Sequence, residues 1–309
     1  MEYRDLGRTG LKVSALSFGA SSLGSVFRAI DEAEGIRTVH TAIDLGMNFI
    51  DVSPYYGLTK AETVLGKALR EIPRDAYILA TKVGRYGDAE FDFSASRVVA
   101  SVDESLARLG VESIDVIQCH DIEFGSLDQV VDETIPTLRR LQERGKIRFV
   151  GITGLPLKIF RYVLERTEVD TILSYCHHTL YDTTLKTLIP TLKQKEVGII
   201  NASPLGMGLL TERGTPDWHP AQDEIKKTCA RAAAYCRSRG VDIAQLAIQF
   251  ALANPDLSTT LVGTANPENL KKNVRWLEAP MDHELLGEVQ AILAPIRDQT
   301  WSSGRPENN

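Results

Sequence analysis

Apolar residues fall in continuous runs of four to seven, separated by longer amphipathic stretches, and the alternation persists to the end of the chain. Eight such runs occupy residues 16–20, 49–52, 77–83, 114–120, 147–153, 171–175, 197–202 and 259–262. Consecutive rather than alternate apolar positions predict parallel strands covered on both faces. Ahead of them, residues 3–6 and 13–16 flank Gly7-Arg8-Thr9-Gly10 and predict a β-hairpin. Between the runs, Val98, Val102, Leu106 and Leu109 keep one helical face, with Gly110 as the stop and Ser94 or Ser96 as N-cap. Val130, Ile135, Leu138 and Leu141 make a second face, closed by Gly145. A helical pair at 229–238 and 243–253 precedes the eighth run, and helices starting near 267 and 282 follow it.

Strand–helix units repeated without a linker-like stretch predict a single (β/α)8 barrel, an α/β fold of the TIM type, spanning residues 1–309. The hairpin precedes it and an extra helix closes the C-terminus. A doubly wound open sheet is the competitor, but it calls for Gly-x-Gly-x-x-Gly after its first strand. The chain reads Phe18-Gly19-Ala20-Ser21-Ser22-Leu23-Gly24 there, which does not fit. In a barrel the active site lies at the C-terminal ends of the strands.

Composition narrows the partners. A content of 43% hydrophobic and 25% charged residues supplies a large core without the bias of a disordered chain. The net charge of −6 argues against nucleic acid or an anionic membrane as partner. No apolar stretch approaches the roughly 20 residues that span a bilayer. Met1-Glu2-Tyr3-Arg4-Asp5 lacks the apolar core of a signal peptide, so a cytoplasmic protein is expected. Cys229 and Cys236 would be about 10 Å apart on one helix, too far to bridge. Reduced, buried thiols are expected at all four cysteines. No spacing matches a zinc motif, and the pair His177-His178 has no third ligand at a telling distance, so no metal is expected. No pattern along the chain specifies an oligomeric state.

Four polar side chains stand where successive apolar runs end: Asp51 with Tyr56 just beyond, Lys82, and His120. A free phenol titrates near pH 10 and is a poor base at neutral pH. An ammonium within about 4–6 Å favours the phenolate, and a carboxylate keeps that ammonium charged. Lys82 is therefore expected to lower the pKa of Tyr56, which then exchanges a proton with a carbonyl or hydroxyl oxygen that His120 orients. Taken singly, each residue reads as structural: a rim ion pair, a loop anchor, a satisfied histidine. Placed together on three successive strand ends they form a proton-transfer site. With no metal ligands in view, such a site suggests hydride transfer to or from a nicotinamide.

The segments Phe18-Gly19, Asn48-Phe49-Ile50-Asp51-Val52-Ser53-Pro54-Tyr55-Tyr56-Gly57, Ala80-Thr81-Lys82, Cys119-His120, Arg144-Gly145-Lys146-Ile147-Arg148 and Ser203-Pro204-Leu205-Gly206-Met207-Gly208 resemble the aldo-keto reductase family. The resemblance implies Asp51, Tyr56, Lys82 and His120 as a catalytic tetrad with Tyr56 as general acid/base, and Tyr55 as the rival. Residues 118–125, 173–177, 209–212 and 216–220 are similar to the sugar dehydrogenases of that family, those acting on L-galactose in the plant ascorbate route among them. Bacterial dehydrogenases of fucose or other aldoses are an alternative. The implied reaction oxidises the anomeric carbon of a small-molecule sugar to an aldonolactone. An NADPH-dependent aldehyde or ketone reductase of the family is the competing enzyme, and a channel-docking subunit the competing non-enzyme.

Relatives that take the phosphorylated cofactor carry a lysine and an arginine where this chain has Gly263 and Asn269. Without those cations the 2′-phosphate lacks partners, so NAD is expected, with Lys271 and Lys272 one turn along as the counter-indication. An oxidised NAD pool in turn favours the dehydrogenase direction. The resemblance assigns Ser203, Leu205 and Gly206 to the pyrophosphate, Gly263, Thr264 and Asn269 to the strand end beside it, and Asn273 to adenine. Thr153 and Gly154 replace a Ser-Asn pair, so Ser174 or Tyr175 is expected to share the carboxamide contact. Ala202 replaces a nicotinamide-stacking tyrosine. Asp121, Glu123 and Trp218 are the candidates for the sugar, against loop-structural readings of the same residues; His219, Tyr86 and Phe124 are further rim candidates.

Overall fold

The computed structural model of the chain describes residues 1–26 and 28–309. Eight strands, β3 (Leu16–Gly19), β4 (Phe49–Asp51), β5 (Ile78–Val83), β6 (Ile114–Cys119), β7 (Ile147–Gly154), β8 (Thr171–Tyr175), β9 (Gly198–Ala202) and β10 (Thr259–Gly263), close into a barrel in sequence order. All pair in parallel, and β10 returns to β3 through Thr260↔Leu16 and Gly263↔Gly19. Phe49, Ala80, Val116, Leu173, Ile200 and Leu261 fill the barrel interior. The residues between them along each strand pack outward on helices, which is why the runs read as continuously apolar.

The antiparallel hairpin β1 (Tyr3–Asp5) and β2 (Lys12–Ser14) seals the N-terminal end of the barrel. Its Leu6, Leu11 and Val13 join the interior cluster from below. Gly7 has φ +53°, and a Cβ there would meet the Gly198 nitrogen at 2.3 Å, so the plug needs glycine at that turn. The second hairpin strand ends at Ser14, earlier than expected, because Leu16 already belongs to the barrel.

Helices α1 (Glu32–Asp44), α2 (Lys60–Leu69), α3 (Ala95–Leu109), α4 (Leu127–Gln129), α5 (Ile135–Glu143), α6 (Leu157–Arg166), α7 (Ile189–Gln194), α8 (Asp223–Ser238), α9 (Ile243–Leu252), α10 (Pro267–Glu278) and α11 (His283–Leu293) surround the strands. The sequence pattern marked no face for α1, α2, α6 or α7. Val130 and Ile135, five apart, share a buried face because a π-helical turn over Val130–Thr134 joins α4 to α5. A regular helix would have rotated one of them away. Cys229 and Cys236 of α8 pack with Leu285, Val289 and Leu293 of α11, and all four cysteines are free and buried. Beyond α11 the chain folds back over the rim: Arg305 N–H donates to the Glu123 carbonyl at 2.9 Å and Asn308 Nδ2 to the same oxygen at 2.8 Å. Among the described residues, no helix is long and apolar enough to cross a membrane.

Candidate functional site

Asp51 is the last residue of β4, Lys82 the penultimate residue of β5, and His120 follows β6 directly. Parallel register sets these strand ends side by side, so all three side chains emerge on one arc of the rim. Tyr56 reaches back to them from the turn after β4. Lys82 Nζ donates to Asp51 Oδ1 at 2.5 Å, to the Val52 carbonyl at 2.8 Å and to the Tyr56 hydroxyl oxygen at 3.2 Å. Those contacts use the three donors of the ammonium. Tyr56 therefore accepts from Lys82 and keeps its own hydroxyl hydrogen for another partner. Gln118 Nε2 donates to Asp51 Oδ2 at 2.8 Å, so both carboxylate oxygens are held.

The histidine is positioned from both sides. Its backbone N–H donates to the Val83 carbonyl at 2.8 Å, and its Nδ1 lies 3.0 Å from Ser53 Oγ. Its ring meets the Tyr56 ring edge-on, with centroids 5.6 Å apart. Next to it, Asp121 takes a left-handed backbone conformation (φ 49°) and pairs with Arg85 at 2.5 Å. The Arg85 guanidinium lies over the Tyr55 ring, 3.8 Å from its centroid. Tyr55 in turn donates its hydroxyl to Asp88 Oδ1 at 2.9 Å. The lysine contact thus belongs to Tyr56, and Tyr55 is committed to Arg85 and Asp88.

Electrostatics follow from depth. Burial alone would lower Lys82, but the Asp51 carboxylate and the Tyr56 oxygen outweigh it and hold the ammonium above its ordinary pKa. Burial, with Lys82 and Arg85 nearby, drives His120 well below its ordinary value, so the imidazole is neutral. The sequence led us to expect a lowered Tyr56 pKa. Instead, burial pushes the phenol above its ordinary value, with Lys82 opposing it. Burial, reinforced by Asp88, pushes Tyr55 up to about 12.

A groove of about 500 Å3 runs from Asp51 and Tyr56, past Ala202 and Ser203, to Asn273 and Trp276 on α10. That volume lies within the roughly 300–1,000 Å3 that ligand sites occupy. Of the residues expected to hold a cofactor, Ser203, Leu205, Gly263, Thr264, Asn269 and Asn273 line it. Gly206 stands just behind, its carbonyl accepting from His219 Nε2 at 3.0 Å. Ser174 and Tyr175 are not among the lining residues: Ser174 Oγ is buried without a partner among the described residues, and the Tyr175 hydroxyl faces Glu123 Oε1 at 3.5 Å. Arg28 and Arg213 line the groove from the loops after β3 and β9, and the sequence reading passed over both.

Among the three sugar candidates, Asp121 is beside His120 while the other two are elsewhere. Glu123 is fully buried, its Oε1 accepting from Leu155 N–H at 3.1 Å and from Ser303 Oγ at 3.0 Å. The returning C-terminal segment covers it, so the carboxyl is not presented to the rim as expected. Trp218 is 51% exposed and stacks on His219. Sequence reasoning also missed Ser53, Gln118 and Arg85. Gln118 precedes His120 by two, and the period-2 alternation of a strand was the signal for its inward direction.

A phenol held by a buried lysine–aspartate pair, with a neutral imidazole alongside, opens onto a dinucleotide-sized groove at the C-terminal end of a barrel. That combination defines a barrel oxidoreductase. The family model described as the aldo/keto reductase family matches residues 15–294, and the chain belongs to that family. It is 54% identical to the L-galactose dehydrogenase of Arabidopsis thaliana, over 100% of this chain and 99% of that one. It is 33% identical to the D-arabinose 1-dehydrogenase of Saccharomyces cerevisiae, over 95% of each. Among solved structures, an aldo-keto reductase from Bacillus halodurans in its holo form is similar at a TM-score of 0.77 and 28% identity, covering 94% of this chain and 96% of that one. Proteins of this family work with a nicotinamide cofactor.

Proposed function

We propose that this chain is an NAD-dependent aldose 1-dehydrogenase that oxidises L-galactose, or a closely similar aldose, at C1 to the aldonolactone, as in the plant ascorbate route. The observation that carries the reading is the Lys82 ammonium donating to the Tyr56 phenol at 3.2 Å, at the end of the groove. The full-length likeness to an L-galactose dehydrogenase supports the substrate class. The reading includes residues 1–309 acting as one unit and a cytoplasmic setting, whose oxidised NAD pool favours dehydrogenation.

The groove residues fit a dinucleotide. Ser203, Leu205, Gly263, Thr264 and Asn269 would hold it along the β9–β10 edge, and Asn273 would meet its adenine. When bound, the oxidised nicotinamide supplies the acceptor for the C1 hydrogen and its electron pair. The chain's own residues handle the proton. Tyr56 takes it from the C1 hydroxyl, Lys82 stabilises the phenolate, and Asp51 with Gln118 holds Lys82 in place. His120 would bind the reacting oxygen, and Asp121, next to it, would orient the ring.

Preference for NAD over NADP rests on how the cations of α10, beside the β10 end, are used. Lys271 pairs with Glu268 at 2.7 Å, and Lys272, on the groove, pairs with Asp242 at 2.8 Å. A 2′-phosphate beside α10 would find both lysines already matched by carboxylates, with no charge at Gly263 or Asn269, while Arg28 and Arg213 line the groove from the loops after β3 and β9. The test is an NADH-formation screen over L-galactose, L-fucose, D-arabinose, D-galactose and L-glucose, with NAD and NADP in parallel. The fastest turnover is expected with L-galactose and NAD. Turnover confined to NADPH and simple aldehydes would replace this reading with that of a reductase.

A further inference from the structure

We propose that Ser53 is a positioning residue that fixes the proton of His120 on Nε2, making the imidazole a hydrogen-bond donor toward the reacting oxygen. The inference rests on the oxidoreductase reading above and goes beyond it by assigning the tautomer. Ser53 is fully buried, on the turn between Asp51 and Tyr56. The Tyr55 backbone N–H donates to Ser53 Oγ at 3.1 Å and so occupies one of its lone pairs. Ser53 Oγ makes one other contact among the described residues, to His120 Nδ1 at 3.0 Å. The hydroxyl proton needs an acceptor, because a buried donor without one is costly. Nδ1 is the acceptor at hand, and it accepts only if it carries no hydrogen. A neutral imidazole with a bare Nδ1 bears its hydrogen on Nε2.

The opposite tautomer fails on the same count. Were Nδ1 to donate to Oγ, the hydroxyl hydrogen would have no acceptor among the described residues. On the far side of the ring, the Asp121 carboxylate lies 3.7 Å from Nε2, where a negative charge favours a hydrogen on that nitrogen. The consequence is directional. As Tyr56 withdraws the proton from the sugar hydroxyl, charge builds on that oxygen, and an Nε2–H meets it as a donor. A bare Nε2 would face it with a lone pair and repel it.

The experiment uses the full chain labelled with 15N-histidine, with His120 assigned by difference against His120→Gln. The tautomer is read without any sugar, so the result stands apart from the identity of the substrate. The wild-type His120 signals are expected to show Nδ1 unprotonated and Nε2 protonated. Ser53→Ala is expected to mix the tautomers and to lower kcat for aldose oxidation about tenfold or more, with KM and NAD binding nearly unchanged. Ser53→Thr, which keeps a hydroxyl, is expected to restore both signals and rate. A wild-type spectrum with the hydrogen on Nδ1 overturns the proposal, and it can be recorded even if Ser53→Ala does not fold. A Ser53→Ala protein that loses turnover with its tautomer intact also overturns it, as does one that keeps both.

Discussion

Glu123 carries the prediction with the largest calculable effect. Its carboxyl is fully buried, Oε1 accepting from Leu155 N–H and Ser303 Oγ, while Oε2 has no partner among the described residues. Burial, with the Asp121 carboxylate adding repulsion, pushes it from 4.5 up to about 8. The folded chain at pH 7 therefore holds Glu123 protonated, whereas the unfolded chain ionises it near the ordinary carboxyl value. A group with a raised folded pKa contributes its full stability below the unfolded pKa, and that contribution is lost as pH rises through the folded one. At about 1.4 kcal/mol per pKa unit, the interval corresponds to a ceiling of about 5 kcal/mol lost between pH 4.5 and 8. Undocking of the covering segment would let water reach the carboxylate and cap the loss below that ceiling.

Glu123→Gln keeps the shape and the accepting oxygen but cannot ionise. Its amide brings two N–H donors to the place where Oε2 has no partner, so at pH 5 the variant is expected to be the less stable by about 1–2 kcal/mol. At pH 9 the order reverses and the variant is the more stable. Urea unfolding at pH 5, 7 and 9, with free energies taken from linear extrapolation, measures both curves. Wild-type and variant curves that stay parallel to within about 0.5 kcal/mol over that range would refute the reasoning, because the carboxyl would then have the same pKa folded and unfolded.

Other outcomes follow from the rim. Tyr56→Phe removes the hydroxyl that Lys82 contacts, and aldose oxidation is expected to fall by about 10²–10⁴ while NAD binding, followed by fluorescence, is retained; undiminished turnover would exclude Tyr56 as the base. Because burial holds the phenol above its ordinary value and His120 stays neutral, kcat/KM is expected to keep climbing through pH 9. A plateau near neutrality, with chemistry shown to be rate-limiting, would mean that the pull of Lys82 prevails in the working enzyme. Asp242→Asn keeps the cap on Ala244 N–H but releases Lys272, so the ratio of NADP to NAD efficiency is expected to rise about three- to tenfold. An unchanged ratio of kcat/KM values would show that Lys272 does not reach the cofactor.

The barrel and its four rim residues were legible because each depends on a local signal that folding preserves. A parallel strand packed on both faces must be apolar at consecutive positions, and the polar residue that ends the run must lie at the rim. Depth has no such local signal. Lys82 was expected to lower the pKa of Tyr56, and its ammonium is indeed at hydrogen-bond distance. Yet burial decides the sign of the shift, and burial belongs to the assembled rim rather than to the residues beside Tyr56 in the chain. Glu123 makes the same point more strongly. Its place after β6 suggested a rim carboxylate, and Ser303, Arg305 and Asn308, some 180 residues away, bury it. The five-residue step from Val130 to Ile135 was visible but unread, since only a π turn reconciles it with one buried face. The strand-end placement of the four rim residues is therefore encoded near each of them, and the burial that sets the charge state of Glu123 is encoded far from it. Substitutions in residues 303–308, whose hydrogen bonds go to Glu123 and its neighbours, are accordingly expected to move the pH dependence of stability before they move substrate preference.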